Sequence, residues 1–183
     1  GMITTNSKFL YEKVSLLRSH GISKFNMTQN HGNWYYEMKE LGFNYRLTDI
    51  QASLGISQLS KNKNGVIRRD EIAEKYKSRF DSKIKYQQLP LNSFNAHHLF
   101  VIQTDNRKEL YDHLISKGIF VQIHYIPIHM LPYYRKIGYE DANLKYAENY
   151  YNKCISLPMF PALKDKEVDY IIKSVNNYVN KKT

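Results

Sequence analysis

Asn44 and Arg46 have the side-chain chemistry of an anion-binding site, and they stand just before Thr48, where a helix is expected to begin. The N-terminus of a helix carries free N–H groups and a partial positive charge, so it suits a phosphate or a carboxylate. A guanidinium binds either group through two parallel hydrogen bonds. The alternative is a structural role, in which the polar turn only caps a helix and Arg46 is a solvated charge. Local chemistry leaves both interpretations open.

A second candidate site combines His124, Tyr125 and His129, which lie at the end of a predicted strand, beside Pro127. These side chains can contact a ligand at the end of the strand, and ordinary hydrogen bonding within the turn is the alternative. Two histidines five residues apart could be metal ligands, but no third ligand has matching spacing, so we predict no metal site. The single cysteine, Cys154, excludes an internal disulfide and a cysteine-cluster metal site.

The helix that would position Asn44 and Arg46 has a clear start signal. Thr48 followed by Gln51 has the spacing of a capping box, in which the threonine hydroxyl accepts a backbone N–H and the glutamine side chain reaches back. Apolar residues recur around this start at helical spacing: Leu47, Ile50, Leu54 and Leu59. We therefore expect an amphipathic helix that runs to about residue 60 and then bends or continues toward residue 80.

The rest of the chain has the alternation of helices and short strands that is typical of an α/β protein. Strands are expected at 2–5, 84–86, 98–103, 119–124 and 155–157, and helices are expected to begin near residues 6, 106, 143 and 165. Residues 23–39 have no helical period and predict a long loop with aromatic anchors. The domain boundary is expected near residue 65, which gives a first segment 1–65 and a second domain 66–183.

Composition restricts the partners of the chain. A length of 183 residues fits one domain, or one small domain with an appendage, and a hydrophobic content of 42% supports a real core. The net charge is +10, but the lysines are scattered and no helix-turn-helix, zinc finger or RNP motif accompanies them, so no nucleic-acid partner is expected. No apolar run is long enough to span a bilayer and no signal-peptide pattern is present, which predicts a cytoplasmic protein without a membrane partner.

Four segments, in order along the chain, resemble one enzyme family. Residues 42–55, GFNYRLTDIQASLG, resemble the G-x-N-[YF]-R-[LM]-x-[DE]-[IL]-Q-A-A-[LI]-G signature of the DegT/StrS-type sugar aminotransferases. Residues 17–22, 121–129 and 155–161 resemble the L-R-x-H-G, V-x-x-H-Y-x-P and I-S-L-P segments of the same family. These are pyridoxal-phosphate (PLP) enzymes with the aspartate aminotransferase fold. The resemblance is strongest to the transaminases that make UDP-4-amino-4,6-dideoxy-N-acetyl sugars.

The resemblance implies that the chain is the C-terminal portion of such an enzyme. The expected fold is the small domain of a fold-type-I PLP aminotransferase, with a small, mostly antiparallel sheet and flanking helices. Residues 1–65 would be the last strand and helices of the large PLP-binding domain. In the family a Schiff-base lysine lies upstream of a strand M-[IV]-x-T-N, which residues 2–6 resemble. No catalytic residue is therefore assigned here, and the chain alone is expected to bind no PLP and to be inactive.

The resemblance also implies roles for the candidate residues. Asn44 would reach the PLP phosphate of the partner subunit in a homodimer. Arg46, His124, Tyr125 and His129 would contact a nucleotide-linked 4-keto-6-deoxy sugar, aminated for polysaccharide or glycan biosynthesis. The apolar stripe near the start of the chain is expected to be buried against another surface, which a second copy or a missing N-terminal half would supply. The alternative functions are a non-catalytic or vestigial interaction protein that keeps the fold and, with less support, a basic nucleic-acid-binding domain.

Overall fold

The computed structural model describes residues 2–25, 27–28, 31–90 and 92–181. Contacts divide the chain into two compact units, Gly1–Leu59 and Ser60–Thr183. Each unit has its own secondary structure, and helix α2, Asp49–Arg79, contributes residues to both. Among the described residues, no helix combines the length and the apolar character needed to cross a membrane.

The first unit begins with helix α1, Lys8–Arg18, at the place that the sequence predicts. Ser7 is its N-cap, because the Ser7 hydroxyl accepts the N–H of Leu10 at 3.3 Å. After α1 the chain turns through Gly21, whose φ of +67° lies in the left-handed region that glycine tolerates.

The long loop expected over 23–39 is bordered by paired strands. β1, Ile22–Ser23, pairs antiparallel with β2, Glu37–Met38, so the two ends of the segment are joined. Asn26, Gln29 and Asn30 of the predicted loop lie outside the described residues. The prediction of a loop therefore needs correction at its two ends, where backbone pairing between distant residues adds strands that a short sequence window does not reveal.

The strand predicted at 2–5 is wrong. These residues pair with no strand in the described part of the chain, and their side chains are exposed. A strand needs a neighbour for its backbone groups, and β-branched residues alone do not supply one. The first unit also buries no large apolar side chain among its described residues.

The sequence leaves open whether the helix bends after residue 60 or continues. In the structure, helix α2 passes through residues 62–65 without interruption. A Cβ on Gly65 would lie 3.3 Å from Cγ of Pro161, so a small residue at this point allows the chain near Pro161 to pack closely. The second half of α2 buries Val66, Ile72, Ala73 and Tyr76.

The second unit contains a three-stranded antiparallel sheet in the order β3-β4-β5. Its strands are β3, Lys85–Tyr86, β4, Phe100–Gln103, and β5, Cys154–Leu157, with Phe100 opposite Leu157 and Tyr86 opposite Ile102. The strand predicted at 119–124 is not formed. Within the described residues, this segment pairs only through Gln122, which forms an isolated antiparallel bridge with Ser156 on β5.

Among its described residues, the second unit also contains four α-helices: α3, Arg107–Ser116, α4, Pro132–Tyr134, α5, Lys145–Lys153, and α6, Asp165–Lys181. A short 3-10 helix, Ile128–Met130, precedes α4, and a kinked helical segment, Arg135–Tyr139, follows it. The core lies between the sheet and helices α2, α3 and α6, and includes Ile72, Tyr76, Ile102, Leu110, Leu114, Ile155, Val168 and Val175. This is the small, mostly antiparallel sheet with flanking helices that the resemblance implies.

Candidate functional site

The capping box at the start of α2 is formed as the sequence predicts. The N–H of Gln51 donates to the Thr48 hydroxyl at 3.3 Å, and the N–H of Thr48 donates to Oε1 of Gln51 at 3.0 Å. These two bonds satisfy backbone donors that a helix start otherwise leaves unpaired. They fix the point at which residues 42–47 end and the helix begins.

The turn before α2 lies along the end of α1. The N–H of His20 donates to the carbonyl of Phe43 at 2.8 Å, and the N–H groups of Phe43 and Tyr45 donate to the carbonyls of Leu17 and Arg18 at 2.7 and 2.9 Å. Two sequence segments that resemble the same family, 17–22 and 42–55, are therefore in direct backbone contact. Backbone bonds of this kind give Asn44 and Arg46 a defined position in the first unit.

Asn44, Arg46 and His20 form one polar cluster. Nε and one terminal nitrogen of Arg46 each donate to Oδ1 of Asn44 at 3.3 Å. The same terminal nitrogen lies 3.4 Å from Nε2 of His20, and because a guanidinium only donates, Nε2 is the acceptor. The structure thus brings together two predicted site residues and adds His20, whose backbone has a left-handed φ of +64°.

His124 and Tyr125 are adjacent in the second unit, where their rings meet edge to face at 4.6 Å. Nδ1 of His124 lies 2.8 Å from Oγ of Ser156, a buried residue of β5. Tyr125 is 72% exposed. His124 is thus tied to the sheet by one ring nitrogen, while Tyr125 offers its ring to solvent.

His129 is placed differently from the other predicted residues. It is only 9% exposed, and its Nε2 donates to Oε1 of Glu148 on α5 at 2.9 Å. The same carboxylate oxygen accepts the N–H of Leu144 at 3.3 Å. The hydrogen bond from His129, and then the one from Leu144, hold the pKa of the Glu148 carboxyl below its usual value. His129 therefore joins the turn after Pro127 to the start of α5.

Sequence reasoning missed Ser156 and Glu148 as partners of the predicted histidines. Ser156 lies in the segment 155–161 that carries the resemblance, but a serine between two apolar residues predicts only a strand. Glu148 is in a predicted helix with no feature that sets it apart from a solvated charge. Both contacts join residues far apart in sequence, which only the folded chain brings together.

A groove of about 490 Å³ opens elsewhere in the second unit. Its charged wall includes Lys85, Lys153 and Asp105, and Nζ of Lys153 lies 2.7 Å from the Asp105 carboxylate. None of the predicted site residues lines it. The described residues contain no group of three or more His, Cys, Asp or Glu side chains that could hold a metal ion.

Comparison with known proteins finds relatives that are named for polysaccharide biosynthesis and sugar transamination. The chain is 36% identical to the spore coat polysaccharide biosynthesis protein SpsC of Bacillus subtilis, over 98% of this chain and 49% of that protein. It is 32% identical to the UDP-4-amino-4,6-dideoxy-N-acetyl-beta-L-altrosamine transaminase of Campylobacter jejuni, over 93% of this chain and 46% of that protein. The chain therefore spans about half the length of the curated relatives it matches.

A solved structure agrees with these relatives. The PLP form of the putative sugar aminotransferase Spr1654 from Streptococcus pneumoniae superposes with a TM-score of 0.85 and 26% identity, over 99% of this chain and 46% of that one. The fold is thus part of a PLP aminotransferase fold, as the sequence resemblance implies. The family model for the DegT/DnrJ/EryC1/StrS aminotransferases matches residues 1–176. The chain belongs to this family of PLP-dependent aminotransferases.

Proposed function

We propose that the chain is the C-terminal part of a PLP-dependent enzyme that transfers an amino group to a nucleotide-linked 4-keto-6-deoxy sugar. The observation that carries the proposal is the turn at 42–46, which holds Asn44 and Arg46 together in front of the capped start of α2. The proposed domains are 1–65, from the large PLP-binding domain, and 66–183, the small domain. The lysine that binds PLP would come from a segment outside these 183 residues.

Asn44 suits the phosphate of PLP. Its Oδ1 accepts hydrogen bonds from Arg46, so its amide nitrogen faces away from the guanidinium and has no partner among the described residues. An N–H donor in front of a helix start is well matched to a phosphate. Asn44 would hold this phosphate across a subunit contact. When bound, PLP supplies an electron sink for the carbon that exchanges its amino group.

The substrate side of the proposal gives a role to each of the other predicted residues. Arg46 would bind a phosphate oxygen of the nucleotide through its guanidinium. His124 and Tyr125 would contact the nucleotide sugar directly, because one ring nitrogen of His124 is tied to the sheet and the Tyr125 ring is exposed. His129 would act by holding the turn against α5, since its ring is buried and hydrogen-bonded to Glu148.

The partner in this proposal is a second copy of the chain or the N-terminal half of the enzyme. The first unit exposes large apolar side chains on α1 and on the first turns of α2, including Phe9, Ile50 and Leu54. Large apolar side chains exposed in this number are typical of a surface that contacts another protein.

The function is tested by supplying the missing half. The 183-residue chain is mixed with the N-terminal half of the C. jejuni transaminase, PLP, candidate amino donors and a UDP-linked 4-keto-6-deoxy-N-acetyl sugar, and mass spectrometry follows the amino sugar. We expect product only when both halves are present. Asn44→Ala should lower the rate about tenfold or more, the value of a hydrogen bond to a charged group. Asn62→Ala, an exposed asparagine on α2, is the matched control and should not change the rate.

Two results would contradict the proposal. The first is a complex of the two halves that binds PLP but makes no amino sugar, which would favour a non-catalytic protein that keeps the fold. The second concerns the 183-residue chain alone, treated with PLP and borohydride. One stoichiometric PLP adduct on a single lysine of this chain would show that the lysine does not come from elsewhere.

A further inference from the structure

Ser156 is held in place more firmly than a surface serine. It is 4% exposed and lies in the middle of β5, opposite Val101 of β4. On its other side, its N–H donates to the carbonyl of Gln122 at 2.7 Å, and its carbonyl accepts the N–H of Gln122 at 3.2 Å. The backbone around Ser156 is thus bonded on both sides, which fixes the position of its hydroxyl.

Among the described residues, that hydroxyl makes one side-chain hydrogen bond. In the described part of the chain, the hydrogen-bond partner of Ser156 Oγ is Nδ1 of His124, at 2.8 Å. If the hydroxyl accepted a proton from Nδ1, its own hydrogen would be buried without an acceptor, which is a costly arrangement. If the hydroxyl donates, both groups are satisfied. Ser156 is therefore the donor and Nδ1 of His124 is the acceptor.

The direction of this bond decides what His124 offers to a ligand. An imidazole that accepts at Nδ1 carries its proton on Nε2 when it is neutral. His124 is half-buried, and its Nε2 is neither enclosed nor bonded to another described residue. The accessible nitrogen is therefore an N–H donor, beside the exposed ring of Tyr125.

We propose that Ser156 is a positioning residue that fixes His124 as the Nε2–H tautomer, so that His124 donates a hydrogen bond to an oxygen atom of the nucleotide-sugar substrate. The identity of that ligand rests on the proposed function, whereas the tautomer rests on the contacts of Ser156 alone. The selected ligand atom is an acceptor such as a carbonyl, hydroxyl or phosphate oxygen. A ligand that presents an N–H at this point would meet a second donor and be rejected.

The tautomer is tested by nitrogen NMR of the uniformly labelled 183-residue chain at alkaline pH. We expect Nδ1 of His124 to resonate as the unprotonated nitrogen and Nε2 as the protonated one. In Ser156→Ala the Nδ1 resonance should move, because its hydrogen bond is lost, and Ser156→Thr, which keeps the hydroxyl, should restore it. Ser174→Ala removes another buried serine hydroxyl, which donates to the carbonyl of Tyr170, and should leave the His124 signals unchanged.

Binding is measured in parallel with UDP-N-acetylglucosamine as the probe. Ser156→Ala should weaken its binding about three- to tenfold, as expected for one hydrogen bond, while Ser174→Ala should not. Protonated Nδ1 in the unmodified chain, or a His124 spectrum indifferent to Ser156→Ala, overturns the inference whatever the chain binds. Equal binding of the probe by the unmodified chain and Ser156→Ala overturns the role in ligand contact. Failure of the proposed function is seen separately, as absence of amino sugar in the two-half assay with the expected His124 spectrum intact.

Discussion

Gly42 lies directly against Gly21: a Cβ on Gly42 would stand 2.2 Å from the backbone nitrogen of Gly21. A Cβ on Gly21 would in turn meet the carbonyl oxygen of Glu40 at 1.8 Å. Real side chains do not approach backbone atoms this closely, so both positions require glycine. The two glycines belong to the two family-like segments of the first unit, and their contact is what allows the turn bearing Asn44 to lie along the end of α1.

We predict that Gly42→Ala loosens this turn. The added methyl group must push the backbone of residues 17–21 away, at a cost of about 1–3 kcal/mol for an overpacked site. The effect is measured by hydrogen exchange at the amides of His20, Phe43 and Tyr45, which all bond across the contact. Exchange at these amides should become at least several times faster.

Gly55→Ala is the matched control for this prediction. Gly55 lies inside α2, where an added methyl group would have no neighbouring atom within 4 Å, and alanine is favoured over glycine in a helix by about 0.5–1 kcal/mol. It should slow exchange in α2 and leave the turn unaffected. Equal protection of the turn in Gly42→Ala and in the unmodified chain would contradict the close contact.

Local features of the first unit follow from the sequence because few residues determine them. The capping box needs only Thr48 and Gln51, three positions apart, and the Ser7 cap of α1 needs only Leu10. Strands need a distant partner, so the pairing of β1 and β2 is not evident from either segment. The same reason explains why residues 2–5 look like a strand in sequence but remain unpaired among the described residues.

Among the site residues too, contacts between sequence neighbours can be predicted and contacts between distant residues cannot. Asn44 and Arg46 are two positions apart, and their contact follows from a tight turn. Ser156 and His124 are 32 positions apart and meet because Gln122 pairs with β5. The sequence indicates that His129 could bind a ligand but contains no signal that its ring is buried on Glu148. Which face of a turn a side chain occupies depends on packing that the residue spacing does not encode.

The core of the second unit contains a testable aromatic anchor at Tyr76. Its ring is fully buried between Phe80 and Phe100, with ring centroids at 5.3 and 5.0 Å, and its hydroxyl donates to the carbonyl of Pro158 at 2.9 Å. Tyr76→Phe should lower the free energy of unfolding by about 0.5–1.5 kcal/mol, the value of one hydrogen bond. Tyr76→Ala should lower it by about 3–5 kcal/mol, because it also leaves a cavity.

Urea denaturation followed by circular dichroism measures both changes. Tyr146→Phe removes a hydroxyl from an exposed tyrosine on α5 and should leave the midpoint unchanged. A Tyr76→Ala variant no less stable than Tyr76→Phe would show that the ring is not packed in the core.

Asp165 joins α6 to α2 by two ion pairs. Its carboxylate accepts from Nζ of Lys75 at 2.7 Å and from the guanidinium of Arg68 at 2.6 Å, and these bonds lower its pKa from the usual 3.8 to about 2. Because the folded-state pKa is depressed, the stabilisation is fully present above the unfolded-state pKa and disappears as the pH falls toward about 2. Asp165→Asn should therefore lower the melting temperature at pH 6, and the difference from the unmodified chain should shrink between about pH 4 and pH 2.

Thermal melts across this pH range provide the measurement. Asp141→Asn changes an exposed aspartate that makes no ion pair among the described residues, and it should melt like the unmodified chain at every pH. High salt should also reduce the effect of Asp165→Asn, because the carboxylate is largely exposed and its pairs are screened. A difference in melting temperature that stays constant down to pH 2 would mean that ionisation of Asp165 is not its source.

The apolar side chains exposed in the first unit lead to a prediction about assembly. Leu54 is 61% exposed on α2, and Phe9 on α1 and Ile50 one turn before Leu54 are more exposed still. Burying each side chain of this size contributes about 1.5–3 kcal/mol, so the surface is strong enough to hold two chains together if it is covered. A two-fold contact is the commonest way in which one patch covers itself.

We predict that the chain self-associates through this surface and that Leu54→Asp makes it monomeric while it remains folded. An aspartate at the contact would have to be buried as an unpaired charge. The free-energy penalty of that burial exceeds the stabilisation that the contact provides. Light scattering at tens of micromolar gives the mass, and circular dichroism shows that the helices persist. Phe94→Asp is the matched control, because Phe94 is 83% exposed but belongs to the second unit, and its mass should equal that of the unmodified chain. A monomeric mass for the unmodified chain, or a Leu54→Asp variant of unchanged mass, would rule out assembly through this surface.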